Sequence, residues 1–182
     1  MFEFPFGICE LYGLAYRSDF DLSQHAKMSG SKLFYQDLEN KTKWIPHVLE
    51  PTFGLDRTVL ALLCDAYEEE TLENGETRTV LRFAPHIAPV KVAVFPLQKK
   101  GGLLEKAKEI FDRLNKFWPC EFDASGSIGK RYRRQDELGT PYCITYDFES
   151  LEEGTVTIRE RDSMKQERVN IDQLLSYFEN KF

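Results

Sequence analysis

The stretch Glu50 to Leu63, EPTFGLDRTVLALL, constrains this chain more than any other. An extended apolar run, Trp44 to Leu49, ends in an acid and a proline. A glycine, an acid and an arginine follow, and helix-forming apolar residues then take over. The pattern reads as a strand handing over to a helix at Gly54, with Arg57 in the helix's first turn. That helix, Gly54 to Tyr67, carries Val59, Leu60, Leu62, Leu63 and Ala66 around most of its circumference, so it is expected to be buried. A guanidinium there is costly to bury unless it meets an anion. Helix-start N–H groups and an arginine together favour a phosphate. A solvated arginine beside a helix start is the plain alternative, and one GxDR string does not choose between them.

Upstream of that segment the chain is rich in aromatics and broken by Pro5, Gly7 and Gly13. Glu10 to Tyr16 reads as a strand with Leu11 and Leu14 as core candidates. Ser23 to Ser31 reads as a loop or brief helix. Lys32 to Leu38 and Lys43 to Glu50 read as strands around a Glu39-Asn40-Lys41 turn. Downstream, Asn74-Gly75 marks a turn in an acidic stretch, and Val80 to Phe83 could be a strand. Pro85 and Pro89 then punctuate the chain, which places a domain boundary between Ala84 and Pro85 and gives domains 1–84 and 85–182.

The second domain alternates regularly. Lys91 to Pro96 is a buried-type strand. Leu103, Ala107, Ile110, Leu114 and Phe117 recur at helical spacing. Glu121 to Ala124 is a short strand, and Gly129 to Leu138 is a basic helix ended by Gly139 and Pro141. Tyr142 to Phe148 and Thr155 to Arg161 are strands joined at a Glu152–Gly154 turn. A further strand ends near Val169, and Asn170 caps a last helix. The order β-α-β-α-β-β-β-α makes this an α/β layer with a mixed sheet, following an α+β first part with antiparallel strands.

The chain has 182 residues, 42% of them hydrophobic and 30% charged, which suits a globular protein with a real core. No apolar run approaches the ~20 residues that span a bilayer, so no membrane association and a cytoplasmic setting are expected. Cys9, Cys64, Cys120 and Cys143 form no CxxC pair and the three histidines are dispersed, so no metal site is expected and the thiols read as reduced apolar fillers. The net charge is −6, but the acid excess lies in Met1–Ala84, with 8 basic and 14 acidic residues, while Pro85–Phe182 has 16 of each. Within that neutral half, GKRYRR concentrates Lys130, Arg131, Arg133 and Arg134 around Tyr132. Local field decides where a phosphate backbone settles, although such a run is also what a solvated helix face looks like.

Several segments, in order along the chain, resemble glycyl-tRNA synthetases, a class II aminoacyl-tRNA synthetase family. FEFPFGICELYGLAYRSDFD (Phe2–Asp21) resembles the stretch after motif 2, and IPHVLEPTFGLDR (Ile45–Arg57) resembles the strand and helix start of motif 3. APVKVAVFP (Ala88–Pro96), IGKRYRR (Ile128–Arg134), GTP (Gly139–Pro141) and TVTIRERDSM (Thr155–Met164) resemble the anticodon-binding domain. The resemblance implies the end of a catalytic domain followed by an anticodon-binding domain. Motifs 1 and 2 have no counterpart here, so the chain is expected to be the C-terminal part of a synthetase and inactive alone.

What the resemblance implies for single residues follows from its motifs. Arg57 matches the motif 3 arginine that meets the phosphate tail of ATP, and Gly54, Leu55 and Asp56 match the turn beside it. Glu10, with Leu11, matches an acid beside ATP and the reaction centre, which makes Glu10 and Arg57 the catalytic candidates. Glu50 matches a substrate-binding glutamate, and Pro51, Thr52, Phe53 and Gly54 continue that segment. Thr52 stands where the family usually has serine, adding a methyl near a pocket for the smallest amino acid. Lys130, Arg131, Tyr132, Arg133, Arg134, Arg159 and Glu160 are the tRNA-side candidates. Implied partners are glycine, ATP with Mg2+, tRNA(Gly) and a second copy in a homodimer. A non-catalytic relative serving as a nucleic-acid-binding accessory subunit is the alternative; the intact GLDR and EP strings favour the enzyme.

Overall fold

Turn chemistry and short alternating runs shape the first third of the chain. The computed structural model describes every residue, Met1 to Phe182. Packing divides the chain into two units, Met1–Cys64 and Asp65–Phe182. In the first, β1 (Phe2–Phe4) and β2 (Gly7–Cys9) form a tight antiparallel hairpin. β3 (Tyr12–Ser18) leads into α1 (Phe20–Ser29), which stops at Gly30 in the left-handed conformation. β4 (Tyr35–Asp37) pairs with β5 (Thr42–Trp44), and the Asp37 carboxylate accepts the N–H groups of Glu39 and Asn40 in the turn between them. β6 (Val48–Phe53) pairs antiparallel with β3, and α2 (Leu55–Ala66) follows.

Several expectations change in this unit. The segment around Ser23 takes the helical alternative, and the strand expected over Lys43–Glu50 is broken into β5 and β6. Glu10 and Leu11 precede β3 instead of opening it, and Leu14 is 75% exposed. The helix after Gly54 forms, yet Val59, Leu60 and Leu63 are exposed and only Ala61 and Ala66 are buried. The reason is the same for Leu14 and α2: a two-stranded ribbon offers no second layer wide enough to bury an apolar face.

The second unit opens with a hairpin of β7 (Tyr67–Thr71) and β8 (Thr77–Leu81) around Asn74-Gly75. Then come β9 (Val92–Pro96), α3 (Leu103–Leu114), β10 (Cys120–Phe122), α4 (Ile128–Leu138), β11 (Tyr142–Tyr146) and α5 (Phe148–Glu153). β12 (Thr155–Glu160), β13 (Gln166–Asn170), a 3-10 turn (Ile171–Gln173) and α6 (Leu174–Glu179) complete it. The five-stranded sheet runs β10-β9-β11-β12-β13, with β9 parallel to both neighbours and the last three strands antiparallel. The mixed α/β sheet expected from the sequence is present. Chain direction reverses across the sheet between the two crossovers, so right-handed connections put α3 and α4 on opposite faces.

Each face is built by the period of its elements. Leu103, Ala107, Ile110 and Leu114 of α3 pack with Leu174 and Phe178 of α6 on Val92, Val94, Ile144, Val156 and Ile158. Ile128 and Tyr132 of α4 cover Ala93, Phe95 and Cys143 on the other face. β9 and β11 are buried on both sides, as central strands with apolar runs should be. Phe117, expected on the α3 stripe, lies beyond the helix end and is exposed. On the α4 side of β12 and β13 stand Thr157, Arg159, Gln166 and Arg168, of which Arg159 is covered by α4 through Tyr132 and Asp136. Packing assigns the β7–β8 hairpin to this second unit, upstream of the Ala84–Pro85 boundary expected from the prolines. Gly139, at φ 80, permits the join: a Cβ there would fall 2.5 Å from Phe83 Cδ2 and 2.9 Å from the Leu81 carbonyl oxygen.

Candidate functional site

In the first unit the β3–β6 register sets Gly13 opposite Thr52 and Ala15 opposite Glu50. Residues opposed across a ribbon share a face. One face therefore carries Glu50 and Thr52 over a floor of glycine and alanine. The other carries Tyr12, Leu14, Tyr16, Leu49, Pro51 and Phe53. Glu10, in the bend before β3, curls over the polar face: a Cβ on Gly13 would stand 3.0 Å from Glu10 Oε1 and 4.0 Å from Thr52 Cβ. A side chain at position 13 would press on the Glu10 carboxylate and displace it from the strand face. The Thr52 hydroxyl donates to Glu50 Oε1 at 3.3 Å, and Arg17 Nε lies 3.5 Å from Glu50 Oε2. Arg17 forks onto Asp21 at 2.9 and 3.0 Å, and those hydrogen bonds hold the Asp21 carboxyl below its ordinary pKa.

Arg57 completes the cluster. Its Nη1 donates to the backbone carbonyl of Glu10 at 2.6 Å, and the rest of its exposed guanidinium stays open to solvent. The Thr58 hydroxyl donates to the Gly54 carbonyl at 2.7 Å, locking the turn that presents Arg57. Two carboxylates over a floor of small residues suit a compact cation, and an open guanidinium beside them suits a phosphate. The structure thus gathers Glu10, Glu50, Thr52, Gly54 and Arg57. It sends Pro51 and Phe53 to the opposite face, because strand residues alternate, and leaves Leu11, Leu55 and Asp56 at the rim. Gly13, Ala15 and Arg17 were missed; their small–small–basic alternation opposite Glu50 and Thr52 was the available signal. No cluster of three or more histidine, cysteine, aspartate or glutamate side chains forms a ready-made cage for the Mg2+ that the resemblance implies.

In the second unit a helix cannot turn four basic residues the same way, and α4 separates them. Arg131 is 3% exposed and donates to the carbonyls of Pro96, Gly126 and Ser125 at 2.5, 2.8 and 3.3 Å. It closes a strand end onto a loop, and its burial keeps it out of reach of RNA. Arg134 is taken by Asp123 and by the Ser125 carbonyl at 2.9 Å. Burial opposes ionisation of Asp123, but hydrogen bonds from Arg134 and Ser125 outweigh it and lower its pKa. Lys130 is exposed and makes no ion pair. Arg133 is partly exposed, 3.7 Å from both Glu76 and Asp136.

Tyr132 lies edge-on to Phe95 with its hydroxyl on Thr145 Oγ1 at 2.6 Å. The Arg159 guanidinium sits 4.9 Å from the Tyr132 ring centre and makes a two-pronged bond to Asp136 at 2.8 and 3.1 Å. Lys130, Tyr132, Arg133 and Arg159 line one surface depression of about 490 Å³, together with Met164 and Gln166. Glu160 instead borders a second depression of about 270 Å³ with Tyr142, Tyr177 and Lys181. Neighbouring strand residues point to opposite faces, so Arg159 and Glu160 could not both enter one groove. Four of the seven tRNA-side candidates therefore converge; Arg131, Arg134 and Glu160 do not.

The support of that groove was not foreseen. Asp136 is fully buried and holds Arg159 and Arg133; Arg78 of β8, also buried, lies 3.5 Å from it and 3.1 Å from Glu70. Burial lowers the Arg78 pKa, while Asp136 and Glu70 work against that shift. Arg78 Nη2 donates to the Arg161 carbonyl at 2.7 Å. The inward alternation of Arg78 with Val80 was the sequence signal for it.

The second unit thus joins a mixed five-stranded sheet to a cationic depression beside α4. The chain belongs to the anticodon binding domain family, whose model matches residues 91–181. Over its whole length it corresponds to part of glycine–tRNA ligases. It is 58% identical over 181 residues to that of Lachnospira eligens, covering 100% of this chain and 39% of the relative. It is 58% identical over 179 residues to that of Acetivibrio thermocellus, covering 98% and 38%, and 55% identical over 178 residues to that of Lysinibacillus sphaericus, covering 98% and 38%. The chain spans about 39% of the length of such relatives. A solved structure described as the RNA binding domain of threonyl-tRNA synthetase from Cryptosporidium parvum Iowa II shares the fold, with a TM-score of 0.61 and 19% identity, covering 82% of this chain and 35% of that one. No helix is long and apolar enough to cross a membrane.

Proposed function

We propose that this chain supplies two working parts of a glycyl-tRNA synthetase: one wall of the glycine and ATP site, and the surface that binds the anticodon arm of tRNA(Gly). In this reading the glycine carboxylate attacks the α-phosphate of ATP and pyrophosphate leaves. The terminal ribose hydroxyl of tRNA then attacks the adenylate and releases AMP. Positioning and charge neutralisation carry such chemistry. Glu50 and Glu10 receive the α-ammonium of glycine, and the Gly13–Ala15 floor with the Thr52 methyl keeps the space small. Arg57, steered by the Glu10 carbonyl, meets the phosphate tail of ATP. Lys130 and Arg133 take tRNA phosphates, and Arg159 with Gln166 faces the bases. ATP enters as a substrate with its own Mg2+, and no step is derived through that ion. A homodimer of the longer protein belongs to the same proposal.

The observation that carries the catalytic half is the union of Glu10, Glu50, Thr52 and Arg57 on one polar ribbon face, with apolar residues on the other. A ribbon exposed on an apolar face suits a piece of a larger sheet. The built polar face also favours the enzyme over an accessory subunit, which has no use for Arg57. The test uses the longer protein that carries the rest of the relatives' length. There Arg57→Ala should lower kcat/KM for ATP in glycine-dependent pyrophosphate exchange by roughly 10²- to 10³-fold, the worth of one preorganised charge-stabilising donor. Its Kd for tRNA(Gly) should stay within about twofold of the parent's. An equal loss in both would refute the assignment.

A further inference from the structure

The turn between β12 and β13 holds a conformational oddity. Met164 has φ 54, in the left-handed region. The bond from the Glu160 N–H to the Lys165 carbonyl, 3.0 Å, closes the loop 161–164 around it. Hairpin loops of this kind commonly need one left-handed residue, and glycine fills that position without strain. This chain instead puts a long apolar side chain there, against the preference of L residues. The side chain is not hidden to compensate: Met164 is 37% exposed. It lines the depression of Lys130, Arg133, Arg159 and Gln166, with Glu76 at the side of Arg133, and is the one aliphatic side chain among them.

The surroundings define what such a side chain could meet. Lys130 and Arg133 offer positive charge for a phosphate backbone. Arg159, 5% exposed and fixed by Asp136, brings positive charge to the base of the depression, and Gln166 opposite it in the register offers a hydrogen-bonding group. The Tyr132 ring is covered by Arg159 and its hydroxyl is engaged by Thr145, so it is not the free stacking platform that single-stranded RNA recognition needs. Met164 is the exposed, polarisable, adaptable surface left over. We propose that Met164 is the wall against which one unpaired base of the bound anticodon loop packs, a specificity-determining contact whose position costs the free protein some backbone strain. This rests on the tRNA-binding reading of the same groove.

Strain and function then have opposite signs, which makes the test sharp. Met164→Gly removes the wall and relieves φ, so the 182-residue chain should melt at the parent's temperature or above it. Its Kd for a tRNA(Gly) anticodon stem–loop should rise about tenfold, the order of magnitude lost when one apolar side chain no longer covers a base. Met164→Leu should restore most of the affinity. With stem–loops made abasic at each anticodon position in turn, one should bind parent and Met164→Gly equally, since the base that needs the wall is gone. A Met164→Gly variant that melts lower and binds RNA like the parent would overturn the proposal and make Met164 a packing residue. An effect equal on all abasic loops would overturn it too. If the parent shows no salt-dependent binding of the stem–loop, and Lys130→Ala with Arg133→Ala changes nothing, the tRNA-binding reading itself fails, a result distinct from either.

Discussion

Lys130 and Arg131 are neighbours in sequence with opposite duties. The Arg131 guanidinium satisfies three backbone carbonyls in the interior, whereas Lys130 ends in solvent. Arg131→Ala takes this donor from the Pro96 and Gly126 carbonyls, while the Ser125 carbonyl keeps Arg134, and it empties a buried volume, so it should destabilise the second unit by about 2–4 kcal/mol. Lys130→Ala should stay within about 0.5 kcal/mol of the parent. On RNA the order inverts. Lys130→Ala should flatten the log–log salt dependence of tRNA binding by about 0.7–0.9 for each phosphate it leaves unneutralised. Urea denaturation and binding titrations at several salt concentrations read both. If Arg131→Ala melts like the parent yet loses the salt slope, the two residues have been assigned the wrong way round.

At the scale of elements, the β7–β8 hairpin decides how far the second unit extends. Arg78 reaches Glu70, Asp136 and the Arg161 carbonyl; Arg161 donates to the carbonyls of Gly139 and Phe83, both at 2.8 Å. These bonds join hairpin, α4 and β12 into one buried network, in which every charge stabilises only while its partners stay in place. Arg78→Ala should therefore cost about 3 kcal/mol in urea denaturation of the second unit. Arg82→Ala, which breaks ion pairs to Glu68, Glu70 and Asp162 near the surface, should cost less than about 1 kcal/mol. Equal costs would show that the hairpin is held from outside and not through Arg78. The sequence made strand, helix and turn placement readable wherever period and punctuation agreed, as in β9, α3, α4, β11 and β12. It did not reveal α5, because Asp147 starts that helix through a capping box with Ser150 in place of the usual glutamate or glutamine. The hairpin's allegiance stayed hidden as well, since Pro85 and Pro89 punctuate the chain after it while its attachment runs through arginines whose partners are distant in sequence. In the candidate sites, motif residues located the polar ribbon face. Which cations of GKRYRR are free depended on carbonyls and carboxylates far away in sequence, such as Pro96 and Asp123.

Across the whole molecule the two units differ in how they hold themselves together. Asp65–Phe182 has apolar cores on both faces of its sheet, whereas Met1–Cys64 leaves Leu14, Leu49, Phe53 and Leu55 exposed. Amide exchange should be slowest in β9 and β11 and fast through β3 and β6. The second unit also ties carboxylates to cations and hydroxyls. Burial opposes the charge of Asp123, Asp147 and Asp162, yet hydrogen bonds prevail and leave all three with lowered pKa values: from Arg134 to Asp123, from Arg168 and Ser150 to Asp147, and from Arg161 and Arg82 to Asp162. A carboxyl with a lower pKa folded than unfolded makes the unfolded chain the better proton binder between those values. Stability from these groups is complete above the unfolded value of about 3.9 and is lost as pH falls through the folded values. The urea midpoint of the second unit should therefore be nearly level from about pH 8 to pH 5 and fall steeply below about pH 4. Asp123→Asn removes one titrating group, so its midpoint should start lower at neutral pH and fall less on acidification. A decline centred above about pH 5, or one as steep in Asp123→Asn as in the parent, would show that other groups govern the acid limit.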